Sequence, residues 1–138
     1  MWIFTPHGFY SAVEHREKPD TIIVRARDKQ DLEALRPYIP DLLILETMDA
    51  DYLYRIFVSR SRWASAVSTM AREIDYDNFK DAVKKRQGED RASVYMRVWT
   101  AMLALQPWPF NGYYEDEYEL GAAEPQSTWD TWRQRLGI

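Results

Sequence analysis

The rhythm of apolar and polar positions changes near residue 59. Before it, apolar residues alternate or run in short blocks, the period-two pattern of strands. After it they recur every three or four residues, the pattern of helices. MWIFT (1–5) and FYSAVEH (9–15) read as two short strands around the turn PHG, with Phe9, Ser11 and Val13 on one side of the second and Tyr10 and Ala12 on the other. REKPD turns the chain, and TIIVRA (21–26), rich in β-branched residues, is the clearest buried strand. RDKQDLEALRPYIP (27–40) predicts a helix with Asp28 as N-cap, Leu32 and Leu35 on its apolar face and Pro37 near its end. DLLILET (41–47) and YLYRIFV (52–58) predict a hairpin across the turn MDAD.

Beyond residue 59 the spacing predicts a helix over 59–74, capped by Ser59 or Ser61, with Trp63, Val67, Met70 and Ile74 as its buried stripe. A second helix follows over 76–88, with Asp77 as its cap and Gly88 releasing it; a third over 89–107 carries Tyr95, Val98, Met102 and Leu105 on its apolar face. The expected core is Phe4, Phe9, Val13, Ile22, Val24, Leu32, Leu35, Leu43, Ile56, Val58, Trp63, Val67, Met70, Ile74, Phe79, Val98 and Met102. Helices covering one face of an antiparallel sheet bury every one of these stripes. The fold class is therefore α+β, a two-layer, mostly antiparallel sheet (a ferredoxin-like relative) followed by C-terminal helices. The pattern leaves the strand order open. Residues 1–106 form the α+β core domain, and 107–138 form an acidic, aromatic-rich extension packed on that domain or on a partner, because free chains are poor in aromatics.

Composition narrows the classes. A chain of 138 residues that is 46% hydrophobic suits a single cored domain. Six tryptophans and nine tyrosines exceed what one such core needs, and the surplus points to contacts with a protein partner or to self-association as a dimer. With no cysteine, disulfides, thiol nucleophiles and thiolate metal sites are excluded. No apolar run reaches the length of a membrane span, and the N-terminus lacks the basic-then-apolar pattern of a signal peptide, so the expectation is a cytoplasmic protein. The net charge of -4 resides entirely in 107–138, where Glu115, Asp116, Glu117, Glu119, Glu124 and Asp130 outnumber Arg133 and Arg135. The rest is neutral, which argues against a general nucleic-acid binder but leaves room for a local basic patch.

IDYDNFKDAVKKRQG (74–88) is the densest cluster of polar chemistry. As a calcium loop it fails: counted from Asp75, the positions that need an oxygen ligand, a glycine and a glutamate hold Phe79, Lys80 and Arg86. Asp75, Asp77 and Asp81 could bring carboxylates together for a metal-dependent nuclease-like enzyme. The simpler reading is a structural joint between helices made by Asp75, Asp77, Asn78, Lys80 and Asp81, with no metal and no cofactor. His7 and His15, with Glu14, offer a small metal or acid–base site, and Ser11 has no base or elbow motif beside it. Arg25, Arg27, Arg55, Arg60 and Arg62 would meet near one sheet edge if their strands are neighbours, with Tyr10, Tyr52 and Tyr54 as stacking surfaces; Arg25 equally reads as a partner for Glu14.

The stretches GFYSAV, YRIFVSRSRWASAV and IDYDNFKDAV resemble a family of small bacterial and phage-encoded proteins with no established activity, over residues 1 to about 105. The resemblance implies a compact cytoplasmic domain found on its own and carries no role onto Ser11, Arg60, Asp75, Asp77, Asn78 or Lys80. The functional expectation is a non-enzymatic protein-interaction or regulatory module. The alternatives are a nucleic-acid binder using the arginine-rich edge and, third, a metal-dependent nuclease.

Overall fold

A computed structural model describes residues 1–105, in a chain that divides into two compact units, Met1–Ala101 and Met102–Ile138. The expectations for 107–138 lie outside the described residues. The first unit opens with a hairpin of β1 (Trp2–Thr5) and β2 (Gly8–Glu14), followed by β3 (Thr21–Ala26), α1 (Lys29–Glu33), β4 (Leu45–Glu46), β5 (Tyr54–Ser59) and α2 (Arg60–Arg72). α3 (Phe79–Met102) follows, lying in the first unit up to Ala101, and a single 3₁₀ turn at Leu103–Leu105 comes after it in the chain. The five strands form one sheet in the order β1-β2-β3-β5-β4, every neighbouring pair antiparallel. This is the α+β arrangement the rhythm of the sequence predicts, an antiparallel sheet followed by helices.

The hairpin turn is closed by Thr5, whose Oγ1 accepts the N–H groups of His7 and Gly8 at 3.1 and 3.0 Å. Strand alternation then sends Tyr10 and Ala12 to the same face as Ile22, Val24, Ile56 and Val58, where Leu32 of α1, Leu35 just beyond it, and Trp63 and Ala66 of α2 cover them. The expected core face of β2 is thereby reversed. Val13 is on the opposite, exposed side, and Phe9 joins Phe4 in a second cluster with Phe79, Val83, Ala92 and Tyr95 of α3. Two apolar sides of one strand were competing for the core, and the side carrying Tyr10 won because it faces both packed helices.

Other departures follow from where elements stop. α1 is short: Asp28 caps it by accepting the Gln30 N–H at 2.9 Å, and from Leu35 to Ile39 the chain continues as tight turns, with Pro37 unable to donate. The strand expected over 41–47 shrinks to Leu45–Glu46, leaving Leu42 buried and Leu43 72% exposed. α2 is capped by Ser59 and ends at Arg72, so Ile74 falls beyond the stripe and is exposed, although Trp63 is buried and Val67 and Met70 are partly so. Gly88, at φ 86° and ψ 175°, breaks α3 into two helical halves, a conformation that other residues rarely adopt. Met102, at the far end, is exposed rather than core.

The two clusters meet at one buried carboxylate. Asp31, in α1, is 2% exposed and accepts the Phe9 N–H at 3.2 Å. Arg91, in the second half of α3, donates to both its oxygens at 3.0 and 2.9 Å and to Asp28 Oδ2 at 2.9 Å. Burial pushes the Asp31 carboxyl up from its ordinary range, against the downward pull of the Phe9 N–H and of Arg91. Burial also pushes the nearby Tyr95 hydroxyl up to about 12, with the Asp31 charge adding to it.

Gly8 is fixed by this contact. A Cβ there would stand 2.9 Å from Asp31 Cβ and 3.0 Å from its Cα, against helix backbone that cannot step aside. Gly8→Ala should therefore cost about 1–3 kcal/mol in urea unfolding, the range for overpacking. Ile74→Ala, on an exposed side chain, should change stability by less than about 0.5 kcal/mol. A neutral Gly8→Ala would show that α1 does not press on the hairpin.

Candidate functional site

α1 and α2 cover one face of the sheet, and α3 covers the other only at Phe4 and Phe9. No other helix among the described residues packs on that second face, and the register shows what it displays. One row crosses all five strands: Trp2 opposite Ser11, Ser11 opposite Arg25, Arg25 opposite Arg55, and Arg55 opposite Leu45. The next row is apolar, Val13 opposite Ile23 and Ile23 opposite Phe57. Trp2 is 67% exposed and Phe57 45%, and the His15 ring lies 5.5 Å from that of Phe57. Trp2 stands edge-on to Phe9 at 5.8 Å, which steadies the ring while leaving most of it in solvent.

Three of the five expected arginines converge around Tyr52, which is itself buried. The Arg25 guanidinium lies 4.6 Å from the Tyr52 ring centre and that of Arg27 5.1 Å. Arg25 Nη2 also donates to Ser11 Oγ at 2.8 Å, and Arg55 Nη2 to the Tyr52 carbonyl at 3.2 Å. The Nε groups of Arg25 and Arg55 are buried without a hydrogen-bond partner among the described residues. The pairing of Arg25 with Glu14 is not formed: Glu14 takes Arg60, at 2.7 Å.

Arg60 and Arg62 do not join the group. They follow Ser59 at the other end of β5, roughly 16 Å along the strand from Arg55 at ordinary strand rise. Both are neutralised there, Arg60 by Glu14 and Asp20 and Arg62 by a forked pair with Asp41. The sequence reading grouped all five arginines with Tyr52 among their stacking surfaces, but only Arg25 and Arg55 lie on strands, Arg60 and Arg62 open α2, and the exposed rings of Trp2 and Phe57 were missed. The alternation in YRIFVS, with Arg55 and Phe57 opposite Tyr54, Ile56 and Val58, was the available signal.

The stretch 74–88 lies between α2 and α3. Asp75 pairs with Arg86 at 3.0 Å, and that guanidinium holds its carboxyl below the usual range. Asn78, not Asp77, is the cap: its Oδ1 accepts the Asp81 N–H at 3.2 Å and its carbonyl the Ala82 N–H at 3.1 Å. The chain reaches helical geometry only at Phe79, one residue later than an Asp77 cap requires. Asp77 and Asp81 are exposed and Lys80 is half-buried. No group of three metal-ligating side chains occurs among the described residues.

The remaining candidates separate. His7 and His15 flank opposite ends of β2, roughly 26 Å apart along an extended strand, so they cannot share a ligand; His15 Nδ1 caps its own turn by accepting the Glu17 and Lys18 N–H groups. Ser11 is buried with its Oγ committed to Arg25. A groove of about 180 Å³ runs between β1 and the end of α2, lined by Ile3, His7, Met70, Ile74 and Tyr38 among others. The Tyr38 hydroxyl, pushed up to about 12 by burial and by its 2.6 Å bond to Glu73, donates to that carboxylate at the groove wall. No helix among the described residues is long and apolar enough to cross a membrane.

No family model, no curated protein and no solved structure matches this chain, so no relative assigns a role to any of these residues.

The cap geometry gives a direct expectation. Asn78→Ala should cost about 0.5–2 kcal/mol in thermal or urea unfolding, and Asp77→Ala less than about 0.5 kcal/mol. Magnesium, calcium and manganese should leave the melting temperature of the unaltered chain unchanged. A metal-dependent rise abolished by Asp77→Ala would show that the aspartates bind an ion.

Proposed function

We propose that this protein is a non-enzymatic binding module whose working surface is the uncovered face of the sheet. The observation that carries the reading is the row Trp2–Ser11–Arg25–Arg55–Leu45, which sets an exposed aromatic ring and an exposed leucine on either side of two guanidiniums that have no carboxylate partner among the described residues. Large aromatic side chains and arginine are the residues that contribute most to binding surfaces, because they combine apolar area with directional donors. Support also comes from four other candidate polar groups, Ser11, Asp31, Asp75 and Asn78, each engaged in holding structure.

The test is capture from native cytoplasmic extract with the tagged full chain, in parallel with Phe57→Glu and Trp2→Glu, both on exposed side chains. The reading predicts a partner, protein or nucleic acid, recovered with the unaltered chain and reduced at least tenfold with either variant. Equal recovery with all three would place the working surface elsewhere.

A further inference from the structure

We infer that the ligand of this face is a single-stranded nucleic acid, with a backbone phosphate between Arg25 and Arg55 and bases stacked on Trp2 and Phe57. The inference rests on the open sheet face being the working surface. Arg25 and Arg55 are directly opposed across β3 and β5, and like charges so placed repel. Arg36, Arg60, Arg62, Arg86 and Arg91 each meet a carboxylate. Arg25 and Arg55 instead donate to a hydroxyl and to a carbonyl, neutral acceptors that orient a guanidinium without cancelling its charge. An anion between them removes the repulsion.

The guanidiniums are also held in place before any ligand arrives. Arg25 lies over Tyr52 and is tied to Ser11, Arg55 is tied to the Tyr52 carbonyl, and Tyr52 itself is buried. A planar, fixed guanidinium suits the forked geometry of a phosphate. Arg27, whose guanidinium lies 5.1 Å from the centre of the same ring, adds a third cation.

Flat rings stand on both sides of this anion position. Trp2 is two strands from Arg25 in the same row, roughly 10 Å at ordinary strand spacing, and Phe57 is two residues from Arg55 along β5, roughly 7 Å. Open sheet faces that combine exposed rings with basic side chains bind unpaired bases by stacking while the cations follow the backbone. A duplex hides its base faces and gains nothing from such rings. Because residues 1–106 are neutral overall, the attraction comes from these few cations and not from a general positive field.

The test is fluorescence anisotropy with the full chain and fluorescein-labelled oligo(dT) and oligo(U) of about 12 nucleotides. Three phosphate-facing cations predict saturable binding to either strand, weakening with added salt with a log–log slope of roughly 2. Arg25→Gln and Arg55→Gln should each weaken binding at least tenfold. Loss of a stacked ring in Phe57→Ala should weaken it by about 5- to 100-fold. A duplex should compete at least tenfold less well than a single strand.

Circular dichroism checks that each variant folds. Should a Gln variant not fold, Arg27→Gln, on an exposed side chain, must still lower the salt slope by about 0.7. The inference is overturned by no binding at about 100 μM chain, by binding indifferent to all three arginine substitutions, or by equal affinity for duplex. A partner that survives nuclease and is lost in Phe57→Glu, with no oligonucleotide binding, would overturn the nucleic-acid assignment while leaving the working surface in place.

Discussion

Arg91 grips Asp31 with two hydrogen bonds in a site that water barely reaches, and the arrangement of the first unit hangs on that grip. A buried carboxylate without its partner is an uncompensated charge. Breaking such a pair by removing one member typically costs about 3–5 kcal/mol, although a well-packed apolar replacement of both can be neutral. Asp31 also accepts the Phe9 N–H and lies against Gly8, while Arg91 reaches on to the N-cap Asp28. One carboxylate thus joins the β1–β2 hairpin, α1 and the second half of α3. Gln87 adds a bond at 2.7 Å to the Pro6 carbonyl, on the same hairpin.

The consequence for function is geometric. Anchored there, α3 lays Val83, Ala92 and Tyr95 over Phe4 and Phe9 and covers only that part of the sheet's second face. The part of that face that α3 leaves uncovered carries Trp2, Arg25, Arg55 and Phe57, displayed by strands whose opposite side chains are locked into the main core. The proposed binding surface is rigid because its strands are shared with that core, and among the described residues α3 does not pack on it.

Much of this was legible in the sequence, for reasons that differ by element. Strand β3 and helix α2 follow from local pattern alone: β-branched residues in one, a capped stripe around Trp63 in the other. Face assignment in β2 was not legible, because FYSAV is apolar on both sides and only the packing of α1 and α2 decides between them. Leu43, Ile74 and Met102 were misplaced because a periodic pattern does not reveal where an element ends. For the site, the arginines on β3 and β5 could be found by alternation, whereas the separation of Arg60 and Arg62 depends on strand direction and on Glu14, Asp20 and Asp41, which lie far away in sequence. The Asp31–Arg91 pair, 60 residues apart, left no local signature at all.

The account depends most on that pair. The decisive measurement is a double-mutant cycle in urea with Asp31→Asn, Arg91→Ala and the two combined, which isolates the coupling between the side chains from the effect of each alone. The structure predicts a coupling energy on the order of 3 kcal/mol, the upper range for directly interacting residues. A coupling below about 0.5 kcal/mol, with both single variants near the stability of the unaltered chain, would contradict it: α3 would not be fixed through Asp31, and the open sheet face would lose its structural basis.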